Sequence, residues 1–150
     1  MSLTSLAALG GLGFVLLAIV LNLVYVRAGV PLPGSGMSLR AATDSFAAAG
    51  AAHDRGSMAG LWALSNVLFG FNQVFLAIAL LGFTVAGVGA GLIDPWHAWL
   101  GYLSAALLFV SSSASPYNTD GNNRIGLAGL IGWLGWAAWI VAYSITLLRL

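Results

Sequence analysis

The chain has 150 residues, of which 60% are hydrophobic and only 6% charged: five Arg, no Lys, four Asp and no Glu, for a formal net charge of +1. A soluble domain carries about 25% charged residues to keep its surface wet, so this composition excludes a water-facing globule and makes lipid the natural solvent. The small net charge leaves no electrostatic footprint for nucleic acid, and the absence of Cys removes disulfides, thiolate metal sites and thiol redox chemistry together.

The first apolar run covers about 6–27, with Asn22 and Tyr25 as its polar interruptions and Arg27 closing it. Some twenty residues at about 1.5 Å each cross a hydrocarbon core of about 30 Å. No basic residue precedes the run and no small-x-small cleavage site follows it, so it is read as a retained transmembrane helix rather than a secretory signal. Pro31, Pro33, Gly34 and Gly36 then start a loop. Within it, Ser38 to His53 offers an N-cap and the helical spacing of Leu39, Ala42 and Phe46. This stretch reads equally as a short helix on the membrane surface or as an ordinary loop.

The second apolar stretch, Met58 to Ile93, exceeds one perpendicular crossing. Its glycine-rich last third, Gly82 to Gly91, puts the span proper at about 58–81, with the remainder fraying, tilting or packing closely on a neighbour. Asp94 and Pro95 make the turn into a third span at about 96–113, whose Trp96, His97, Trp99 and Tyr102 form an interfacial aromatic belt. A polar stretch from Ser111 to Arg124 is the most turn-like in the chain. The fourth span occupies 125–148 and is followed by Arg149. The fold class expected is therefore all-α: one domain, 1–150, a polytopic membrane protein built as a bundle of four transmembrane helices.

Arg27, Arg40, Arg55 and Arg124 fall in loops one and three, against Arg149 alone on the other side. This bias predicts both termini outside. Abundant Ala, Gly and Arg with no Lys fits a GC-rich bacterial genome, hence a multi-pass protein of a bacterial inner membrane.

Within the spans the sequence places no Asp, Glu, Lys, Arg or His, with His97 standing at the start of the third. Proton relays and voltage sensors need such groups at depth, which disfavours a proton pump or proton-coupled transporter. His53 and His97 fall on opposite membrane faces and cannot share a metal within one protomer, so no metal or haem site is expected. His53, Asp54 and Arg55 are consecutive, and neighbours in sequence rarely converge on one reacting atom. Ser111, Ser112, Ser113 and Ser115 lack an embedded His as general base. Asn118, Asp120 and Asn122 begin like a calcium loop, but Asn123 stands where its glycine belongs and Gly129 where its closing Glu belongs. Asx turns leading to an N-cap at Asn122 or Asn123 account for them. No catalytic residue is assigned; the balance leans against an enzyme, with a membrane enzyme as the third-ranked reading.

One constellation is left. Asn66 and Gln73, seven residues apart, share nearly one face of span two, with Asn72 beside them. Trp133, Trp136 and Trp139 recur every third residue in span four, among Gly126, Gly129, Gly132 and Gly135. Counting about 1.5 Å per residue from Met58 and from Arg124 puts amides and indoles at roughly the same depth. Read structurally, the amides bond across helices while the glycines let spans two and four approach. Read functionally, Asn66, Asn72, Gln73, Trp133, Trp136 and Trp139 line a site for a lipid, quinone or other apolar molecule with a polar head, with no other cofactor expected. The expectation favoured is a non-catalytic accessory or structural subunit whose partners are the lipid bilayer and other membrane protein subunits or further copies of itself. A carrier for an apolar small molecule is the alternative.

Overall fold

The computed structural model describes residues 2–28, 44, 55–114 and 125–150. These residues form four long helices: α1, Leu3–Arg27; α2, Arg55–Gly89; α3, Pro95–Ala114; and α4, Ile125–Leu148. By length and composition α1, α2 and α4 are apolar enough to cross a membrane. The Ser38–His53 stretch, the His53–Asp54 pair, the asparagine-rich turn at 118–123 and the two candidate N-caps within it lie outside the described residues.

Local chemistry sets the helix ends. Ser2 caps α1, its hydroxyl accepting from the Ser5 amide at 3.1 Å, which satisfies one of the amides that the first turn leaves unpaired. Arg27 occupies the last turn of α1, where a cation meets the negative end of the helix dipole. Gly91 ends α2 at φ +66°, a left-handed conformation suited to glycine. Around it the Leu92 amide donates to the Gly87 carbonyl at 2.9 Å and the Gly91 amide to Val88 at 3.0 Å, the paired bonds of a Schellman stop. Pro95 then stands at the first position of α3, where its missing N–H costs nothing.

The glycine-rich last third of α2 is helical through Gly89, so the helix runs 35 residues, about 52 Å. The helix therefore continues beyond the low eighties, where the span proper was expected to end, without fraying. Gly82 and Gly89 have open space beside them, and the backbone holds its helix there without their help.

In space the order is α2, α3, α4, α1, each packed antiparallel on the next. The register of α3 on α4 is fixed by a ladder of small residues. A Cβ on Gly129 would strike Ser111, one on Gly132 would meet the Leu108 amide nitrogen at 3.0 Å, and one on Gly135 would strike Ser104. On the far side of α4, Gly11 of α1 sits against Ile140 and Ser144. The core draws on all four helices: Val15, Ala77, Leu80, Ala105, Leu108, Trp136, Ala137 and Trp139. The glycines of α4 thus admit α3. α3 packs on both α2 and α4 and takes most of the close approach expected between spans two and four, although the Gln73 side chain of α2 does reach Gly129 of α4.

This packing orders the polarity of α3. Its inward stripe, His97, Gly101, Ser104, Leu108 and Ser112 with Ala98 and Ala105, is buried between α2 and α4. A helix covered on both sides can carry hydroxyls and an imidazole that a lipid-facing helix cannot.

The ladder makes a direct prediction. Gly132→Ala forces α3 and α4 apart against backbone and should cost about 1–3 kcal/mol, the usual range for overpacking. Gly13→Ala, with nothing within 4 Å of the new methyl, should leave the melting temperature unchanged. Circular-dichroism melts of the two variants in one detergent compare them directly.

Candidate functional site

The polar side chains of the bundle collect at two levels, each where a glycine or serine opens a helix flank. At the first level Gln73 of α2, only 5% exposed, points its amide nitrogen to 3.2 Å from where a Gly129 Cβ would sit, beside Ser111. Next to it the buried Ser112 hydroxyl donates to the Gly70 carbonyl at 2.7 Å, tying α3 to α2. At the second level, nearer the α2–α3 turn, Thr84 and Trp139 both crowd the place where a Cβ on Gly101 would sit. His97, 2% exposed, completes this level, with Nε2 3.0 Å from the Trp139 carbonyl oxygen. A carbonyl only accepts, so the imidazole must carry its proton on Nε2 there. Trp96 stacks on the imidazole at 5.2 Å, the Trp139 ring lies 5.0 Å away, and Trp139 stacks on Tyr143 at 5.0 Å.

The aromatic belt expected at the start of span three is accordingly divided. Trp96 and Trp99 are exposed and Tyr102 is half-buried, whereas His97 turns into the bundle. Position explains the division: Gly101 and Ser104 follow His97 at four and seven residues, on the face that meets α4.

The six residues singled out by depth are dispersed. Asn66 is half-buried, and its side chain donates back to the Trp62 carbonyl at 2.9 Å. Asn72 is exposed. Gln73 belongs to the Gly129 level. Trp133 is half-buried, 6.2 Å from Trp136, while Trp136 meets Phe14 of α1 edge-on at 5.6 Å. Trp139 belongs to the Gly101 level, where the α2 residue beside it is Thr84 and Gln73 is eleven positions back, about 16 Å along the helix. Depth counting missed this offset because it started α2 and α4 at one surface. Gly70 is in fact level with Ser112, two residues from the end of α3, and the part of α2 before Gly70 runs on for about 20 Å.

Thr84 and Gly101 were not singled out from sequence, and His97, Ser104 and Ser112 were read there as an interfacial residue, a partner for the span-two amides and a helix-end serine rather than as one buried stripe. For the span-three members the signal was present as the three-and-four spacing of His97, Gly101, Ser104, Leu108 and Ser112. It is faint because small residues, rather than large apolar ones, mark the stripe.

Chemically the two levels can hold helices together; neither carries a nucleophile with an adjacent base. Among the described residues no three His, Cys, Asp or Glu side chains group where they could hold a metal ion. Thr84 Oγ1 and Trp139 Nε1 are enclosed with no hydrogen-bond partner among the described residues. No protein-family model, no curated protein and no solved structure matches the chain.

Bonded and unbonded hydroxyls should respond in opposite ways to removal. Ser112→Ala breaks an interhelical bond and should lower stability by about 0.6 kcal/mol and by no more than about 1.7, the average and upper values for such bonds in membrane bundles. Thr84→Val removes a buried hydroxyl that satisfies nothing, and should leave stability level or raise it. Unfolding of both variants in mixed micelles, referred to the parent chain, reads the difference.

Proposed function

We propose that the chain is an integral membrane protein crossing the bilayer four times, and that it serves as a non-catalytic subunit of a larger or self-associated membrane assembly. The observation that carries this reading is its inverted polarity. Gln73, Thr84, His97, Ser104, Ser112 and Ser144 are buried, while large apolar side chains on all four helices face outward. Water would penalise that surface, and a bilayer accepts it. α3 belongs to this reading as the fourth span: 20 residues give about 30 Å, enough for a crossing, and its Ser104 and Ser112 hydroxyls are turned into the bundle.

Antiparallel packing brings the start of α1, the end of α4 and the α2–α3 turn to one end of the bundle, with Arg149 and Asp94. Arg27 and Arg55 stand at the other end. That asymmetry supports an orientation with both termini outside, in a bacterial inner membrane.

Assembly is favoured over carriage of an apolar molecule by the dispersal of the candidate ligand residues. Trp136 is engaged with α1, Trp139 with α3, and Gln73 sits at a different level from both.

Alkaline carbonate washing of membranes from an expressing host should leave the protein in the pellet. A C-terminal alkaline phosphatase fusion should be active and a C-terminal green fluorescent protein fusion dark. Extraction by carbonate would end the membrane reading, and the reverse pair of fusion signals would end the orientation.

A further inference from the structure

We draw no further inference here: the strongest candidate, the side-chain cluster of Thr84 and Trp139 at Gly101 between α2, α3 and α4, has both its unpartnered polar atoms enclosed with no surface open to a ligand and belongs to the packing level already described.

Discussion

Close approach of α3 to α4 is the constraint on which the rest of the bundle depends. Lipid chains are as apolar as leucine, so burying apolar side chains gives two helices little reason to associate in a bilayer. What remains is dispersion between surfaces that fit and hydrogen bonds that find partners, and both fall off steeply with distance. Gly129, Gly132 and Gly135 remove the side chains that would hold α4 away, and Ser111, Leu108 and Ser104 of α3 occupy the space so opened. The same proximity lets the His97 imidazole reach the Trp139 carbonyl at 3.0 Å. With a methyl group at the middle rung, the Leu108 backbone would have to retreat and the bond at the end of the ladder would lengthen with it.

From that contact the distribution of polarity follows. α3 is flanked by α2 and α4, so its inward face sees protein on two sides. Hydroxyls there can donate to a neighbouring helix, as Ser112 does to Gly70, or lie against a glycine. On the more exposed helices α1 and α4 polar groups bond within their own backbone instead. Asn22 donates to the Ala18 carbonyl at 2.8 Å, and Thr146 to Ala142 at 3.2 Å. Those bonds stay intact whatever lies outside the helix, whereas the bonds of α3 exist only in the assembled bundle.

Helix number, class and approximate limits were legible in the sequence because each rests on local properties. The apolar runs set three helices, the Asp94–Pro95 pair set the start of the fourth, and Arg27 marked the end of α1. Partnership was less legible. The glycines of span four announced a close neighbour without naming it, since glycine at three-residue intervals says that something approaches and not which helix does. His97 was misplaced for a related reason. In sequence it lies among Trp96, Trp99 and Tyr102 and shares their interfacial character, and only the position of α4 separates an inward imidazole from outward indoles. Depth matching failed by about 16 Å between Gln73 and Thr84, because a helix of 35 residues need not begin where its neighbours do.

The length of α2 also bears on how the protein meets its surroundings. α1 and α4, at 25 and 24 residues, agree with each other and with one crossing. α2 exceeds them by about three turns, and the excess lies at the end that carries Arg27 and Arg55, away from the chain termini. A helix longer than the bilayer can tilt to hide its excess, but α2 is held against α3 at Gly70 and again at Gly101, two fixed points that limit independent tilt. The part of α2 before Gly70 then runs past the level of Ser112, and Trp62 on it is buried all the same.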